Sequence, residues 1–284
     1  MRKVLFLLVT ILGATFTPAQ AAPEPSIAII DSGMNTSLFK NVVAEYCVVE
    51  MFTCPNGQTT MEGTGAANIP VSTNATLTHG TEMASVIAQV NPTAKIVPIR
   101  ITGIAPNGYP GLYSNNAVKS ALDWVLVNAT KYNIRIVNIS QGKIFANCGV
   151  PDGMAAVITQ LKTLGVTVVA STGNNSNRTA MMSPACLPNV VSVGATDNPD
   201  SGASGKTWSP TASPYIARYS NGNAQTTYYT NARFKVLQPN GKTKFMVGTS
   251  NAAAAMSAWL LSNPTPTTTL AKNEWLTGRY VFIP

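Results

Sequence analysis

The chain is poor in several residue types, and each shortage closes off a class of function. Its 284 residues contain one histidine, His79, so no site needing two imidazoles can be built, neither an HExxH zinc protease nor a paired-histidine iron centre. Acidic residues number 11 and form no DxDxDG-like loop, so no calcium or other metal site is predicted. The four cysteines include no CxxC pair, which argues against a four-cysteine zinc site. Charged residues make up only 11% of the chain, with hydrophobic residues at 45%, a composition that excludes disorder, collagen and coiled coil. Basic residues are scattered, with Arg233/Lys235 and Lys242/Lys244 the nearest approach to a cluster, and no aromatics interleave with a basic run. Nucleic acid is therefore not an expected partner.

Long apolar runs are also missing. The run from 4 to 12 is broken by Gly13, Thr15 and Pro18, well short of the roughly 20 residues that a membrane span needs. Preceded by Arg2-Lys3 and followed by Ala19-Gln20-Ala21, a small-x-small cleavage pattern, it reads as a secretory signal over residues 1–21. Its removal leaves 17 basic against 11 acidic residues, and the mature chain stays basic. Export makes an even cysteine count informative, because thiols oxidise outside the cytosol. Of three pairings the nearest-neighbour one is chosen, Cys47 with Cys54 and Cys148 with Cys186. Asn35, Asn74, Asn128, Asn138, Asn174 and Asn177 all begin Asn-x-Ser/Thr sequons, several where a glycan would do harm, which points to a bacterial exported protein, secreted or periplasmic.

Short apolar runs at 26–30, 95–101, 134–139, 166–170 and 190–193 are expected to be strands buried on both faces. Helical periods lie between them: Val118, Ala121, Leu122, Val125, Leu126 and Ala129 share one face, and 154–164 repeats the pattern up to Gly165 at a C-cap position. Alternating strands and helices predict an α/β fold with a mostly parallel central sheet and helices on both faces. Without an internal repeat or linker, residues 22–284 read as one domain. The stretches 56–78 and 197–244 lack clear period and are expected to be loops and irregular strands.

Two apparent phosphate sites fail on spacing. The 202–207 segment has two residues between its glycines where a P-loop needs four, and Gly63-Thr64-Gly65 runs on to Asn68 where a third glycine is required. Three other segments carry chemistry. Asp31 ends a buried strand and is followed by Ser32-Gly33; alone it reads as a turn-former, but the carboxyl edge of a parallel sheet is where ligands bind. His79, within Thr78-His79-Gly80-Thr81, opens a helical stretch over 82–90. Ser250 precedes four alanines; alone it is an N-cap, while as a nucleophile its backbone N–H would help hold an oxyanion. The only histidine precedes this serine, which excludes the order Ser, acid, His of α/β-hydrolases. Helical periods contradict the two β-barrels of a chymotrypsin-like order, whereas Asp, His, Ser is the order of subtilisin.

On these segments the chain resembles the subtilases, the subtilisin-like serine peptidases, over nearly all of its mature length. Two further segments match. Val137-Asn138-Ile139-Ser140-Gln141-Gly142 resembles the family's substrate-binding strand, although Gln141 stands where an apolar residue is more usual; Val168-Val169-Ala170-Ser171-Thr172-Gly173-Asn174 resembles the strand ending in the oxyanion-hole asparagine. The resemblance implies a subtilisin-like three-layer sandwich and an endopeptidase acting through an acyl-enzyme. In it Ser250 is nucleophile, His79 general base, Asp31 its orienter and Asn174 an oxyanion donor. Ser140, Gln141 and Gly142 would pair with substrate backbone, and with Ala170, Ser171, Thr172 and Gly173 would wall a roomy apolar pocket.

No cofactor is implied, and the expected partner is a protein or peptide substrate. Asn251 and Ala254 stand where the family usually has Met and Pro. Asp31 follows the predicted cleavage by only ten residues, so no pro-segment is recognisable. That leaves unaided folding, a separate chaperone or inhibitor chain, or a catalytically silent scaffold acting as an exported binding protein.

Overall fold

Every second residue of the central strands is apolar on one side, and the intervening ones are apolar on the other, so the sheet must be covered twice. In the computed structural model, which describes residues 24–70, 72, 74–111, 114–144, 148–197 and 214–284, that is what happens. The elements are β1 (Ser26–Asp31), β2 (Tyr46–Val48), β3 (Thr60–Glu62), α1 (Ala75–Val90), β4 (Lys95–Arg100), α2 (Asn115–Asn128), β5 (Ile134–Ile139), α3 (Met154–Thr163), β6 (Thr167–Ser171), β7 (Val190–Asp197), β8 (Tyr215–Ile216), β9 (Tyr228–Asn231), β10 (Arg233–Leu237), β11 (Thr243–Val247), α4 (Thr249–Ser262), β12 (Thr269–Lys272) and β13 (Thr277–Tyr280). Ala28 and Ile30 of β1 pack with Val97, Ile99 and the apolar faces of α2 and α3. Ile27 and Ile29 point the other way, into a core formed by α1 and the alanines of α4. The result is an α/β sandwich of three layers.

Strands β4, β1, β5, β6 and β7 run parallel side by side, with Ser26 to Asp31 in register against Lys95 to Arg100. Parallel alignment brings the carboxyl ends of β1, β5 and β6 to one edge, and with them Asp31, Ser140 and Ser171. Beyond β7 the sheet curls. β7 pairs with β8 on one edge and β9 on the other, β8 with β12, β12 with β13, and β13 with β9. These five strands close a small ring around Ile216, Tyr229, Ala271, Leu276 and Tyr280. A separate hairpin, β10–β11, leans on α1, where the Ser85 hydroxyl accepts from Leu237 N–H at 2.9 Å.

Several boundaries differ from expectation. α1 begins at Ala75 and is capped by Asn74, whose side chain accepts from Thr76 N–H, so His79 lies within the helix rather than at its opening. That helix and β3 occupy part of the stretch expected to be irregular. Gly248 is the N-cap of α4, which places Ser250 at the second helical position instead of the cap. Gly63 and Gly65 form turns, while the 202–207 segment and the signal region lie outside the described residues. Disulfides join Cys47 to Cys54 and Cys148 to Cys186. No helix among the described residues is long and apolar enough to cross a membrane.

Candidate active site

The turn after β1 and the first part of α1 meet at a contact that only glycine permits. A Cβ on Gly80 would lie 2.1 Å from the Gly33 carbonyl oxygen. With that space empty, Gly80 N–H donates to the Ser32 hydroxyl at 3.0 Å, and the hydroxyl donates on to the Leu77 carbonyl at 3.3 Å. Helix and turn are thereby clamped, and the residue before Gly80 is delivered to the residue before Ser32. His79 Nδ1 lies 2.9 and 3.0 Å from the two carboxylate oxygens of Asp31.

Asp31 is 1% exposed, and burial is the largest influence on it, pushing its pKa up. The neighbouring imidazole, the Ser32 N–H at 2.7 Å and the Gln141 amide at 3.0 Å outweigh that together and hold the carboxyl below its ordinary range. Burial likewise acts first on His79, lowering its pKa, but the Asp31 carboxylate dominates the balance, with Glu82 adding to it and Lys244 opposing, and the imidazole ends above its ordinary 6.5. Glu82 and Lys244 are themselves an ion pair at 2.8 Å between α1 and β11. With Nδ1 committed to a carboxylate, its proton belongs there and Nε2 is left as the basic nitrogen.

Ser250 sits in the first turn of α4, where backbone N–H groups lack intrahelical acceptors and the dipole is positive. Its hydroxyl donates to the Ser140 carbonyl at 3.2 Å, and the Ser140 hydroxyl donates back to the Ser250 carbonyl at 3.0 Å. The Ser250 hydroxyl proton is therefore directed at a carbonyl, and bonding an imidazole requires it to turn away from Ser140. A buried chain of side chains, Ser257 to Asn138 at 3.0 Å and Asn138 to Ser140 at 3.1 Å, supports this pair from behind. Asn174 is oriented by Thr249, whose backbone N–H and hydroxyl both donate to Oδ1 at 2.9 and 3.0 Å. That fixes the amide nitrogen as the end available to a ligand.

Of the residues expected to line a pocket, Ser140, Gln141 and Gly142 follow β5, while Ala170 and Ser171 end β6 and Thr172 and Gly173 follow it. Beside them lies Met182, a residue that carries no signal in the sequence. A Cβ on Gly173 would lie 2.3 Å from Met182 Sδ, and one on Gly142 would lie 3.0 Å from Met182 Cβ. The Met182 side chain therefore packs against both glycines. Gln141 is a second surprise, since its side chain turns to Asp31. Among the described residues no group of three or more His, Cys, Asp or Glu side chains could hold a metal ion.

The Subtilase family model matches residues 23–263, which takes in every residue of this site. The chain belongs to the subtilase family. A cuticle-degrading serine protease of Orbilia oligospora is 30% identical over 134 residues, covering 46% of this chain and 29% of that protein. An alkaline protease of Alkalihalobacillus alcalophilus is 26% identical over 187 residues, 63% of this chain and 41% of that one. The chain thus spans less than half the length of these curated relatives. Because they are fungal and bacterial alike, they give no support to the expected bacterial origin. Among solved structures, Sphericase superposes with a TM-score of 0.62 at 20% identity, covering 89% of this chain and 82% of that one. A cold adapted subtilisin-like serine proteinase gives 0.59 at 20% identity, over 89% and 81%. At such identities the likeness is one of fold, and the subtilase sandwich extends across nearly the whole chain.

Proposed function

We propose that this subtilase is an exported serine endopeptidase, hydrolysing peptide bonds through Asp31, His79 and Ser250. The observation that carries the reading is the pairing of His79 Nδ1 with the buried Asp31 carboxylate, which leaves a basic Nε2 at the sheet edge that also holds Ser250. Ser250 Oγ attacks the scissile carbonyl as Nε2 takes its proton; Asp31 fixes the tautomer and stabilises the imidazolium. The tetrahedral oxyanion is held by the Ser250 N–H and the Asn174 amide nitrogen. His79 then protonates the leaving amine, and a water activated by the same imidazole releases the acyl group. Substrate backbone lies between 140–142 and 170–173. Cleavage of residues 1–21 and export complete the reading, consistent with two disulfides.

One observation favours a second reading, that of a silent exported scaffold binding a peptide: the Ser250 hydroxyl rests on the Ser140 carbonyl. A fluorophosphonate decides between them. Labelling confined to Ser250 by mass spectrometry, together with peptide hydrolysis that Ser250→Ala abolishes without loss of fold, is the expected outcome. A folded protein that neither labels nor cleaves would leave the scaffold.

A further inference from the structure

Three donors converge on one oxygen of Asp31. Ser32 N–H reaches Oδ1 at 2.7 Å, His79 Nδ1 at 2.9 Å and Gln141 Nε2 at 3.0 Å. The Gln141 nitrogen is also 3.1 Å from His79 Nδ1. Nδ1 already donates to the carboxylate and has no lone pair to offer, so that short approach joins two donors competing for the same acceptor. The reversed amide would set its own oxygen against Oδ1, acceptor against acceptor, in a site where Asp31 is almost fully buried. The carboxylate thus selects the orientation that donates. An apolar residue, the usual occupant in the family, can supply none of this.

We propose that Gln141 is a positioning residue for the Asp31–His79 pair. Its amide holds the carboxylate oxygen that the Ser32 N–H also holds, draws on the negative charge that otherwise goes to the imidazole, and so lets His79 release its proton at lower pH. The other charged groups facing His79 are Asp31 from β1, Glu82 from its own helix α1, and Lys244 from β11, paired with Glu82. Arg100, the register partner of Asp31 on β4, spends its guanidinium on the carbonyls of Thr102, Asn68 and Thr53. Substituting position 141 leaves all of these unchanged. The effect on hydrolysis rests on the peptidase reading; the effect on the imidazole does not.

His79 is the only histidine, so a chain labelled with ¹⁵N-histidine gives a single ring to titrate by NMR. The experiment uses the full-length chain on a Ser250→Ala background, where self-digestion cannot intervene. Gln141→Met keeps the length and packing while removing the donor, and Gln141→Glu replaces the amide dipole with a charge. The midpoint is expected to rise by about half to one pH unit in Gln141→Met and further in Gln141→Glu. With the native serine restored, the acid limb of kcat/KM moves by the same amount, so that Gln141→Met loses about three- to tenfold more near pH 6 than at alkaline pH. Should either variant unfold, the wild-type chain decides alone: the Gln141 side-chain amide protons must change shift along the His79 titration and exchange slowly. Unmoved midpoints in folded variants, or a freely exchanging amide indifferent to that titration, would overturn the inference and leave Gln141 as filling. If the midpoints move but Ser250 neither labels nor cleaves, the positioning role stands and only the peptidase reading falls.

Discussion

At the scale of single residues, the site rests on contacts that tolerate no spare atom. Gly80 is the clearest case, because a methyl group there would meet the Gly33 carbonyl oxygen and push His79 off Asp31. The pair so formed also ties stability to pH. Asp31 is held below its ordinary value, so its contribution is present above about pH 4 and lost as pH falls through its folded pKa. His79 is held above 6.5, so its contribution is complete below that value and lost as pH rises through the folded pKa. The pair therefore stabilises most between about pH 4 and 6.5. On the Ser250→Ala background, replacing His79 by Asn should cost roughly 1 kcal/mol more at pH 5.5 than at pH 9, read from urea midpoints. A cost that does not change with pH would mean that folding leaves the imidazole pKa where it stands in the unfolded chain.

At the scale of elements, α4 and the β10–β11 hairpin depend on one side chain. Asn251, where the family usually has Met, is fully buried and donates to the Ala232 carbonyl at 3.0 Å and the Met246 carbonyl at 2.9 Å. It staples the hairpin that carries Lys244 to the helix that carries Ser250. Asn251→Ala should lose about 1–3 kcal/mol, and amide exchange over 233–247 should quicken beyond that loss. Unchanged exchange there would show that the hairpin is held by its packing on α1 instead. The elements themselves were largely legible in the sequence. Runs at 26–30, 95–101, 134–139, 166–170 and 190–193 announce strands because burial on both faces makes them largely apolar, whereas the far end of β7, through Asp197, is not apolar and was not legible. The start of α1 was misplaced because Asn74, its cap, sits in a polar stretch without helical period. Asp31, His79 and Ser250 stood out through their order along the chain. The paths of Gln141 and Met182 did not, since flexible side chains are directed by neighbours distant in sequence.

At the scale of the whole molecule, two covalent ties and one ring supplement the sandwich. Cys47–Cys54 spans 7 residues and Cys148–Cys186 spans 38, the latter joining the approach to α3 with the approach to β7. Loop-closure entropy assigns each about 2–4 kcal/mol, more to the longer. Cys148→Ser/Cys186→Ser should therefore lower the unfolding midpoint more than Cys47→Ser/Cys54→Ser; the reverse order would mean that the short bridge relieves a native constraint. The ring was invisible in the sequence, because β8, β12 and β13 have two to four residues each and pair with strands far away. Its strands are drawn from 190–197, 215–216, 228–231, 269–272 and 277–280. Order of synthesis then matters: all side chains of the candidate site, through Ser250, are made before the last two staves exist. A nascent chain can assemble the central sheet early, yet it must keep Ile216 and Tyr229 uncovered until residue 280 has emerged, an interval in which a holding chaperone has something to grip.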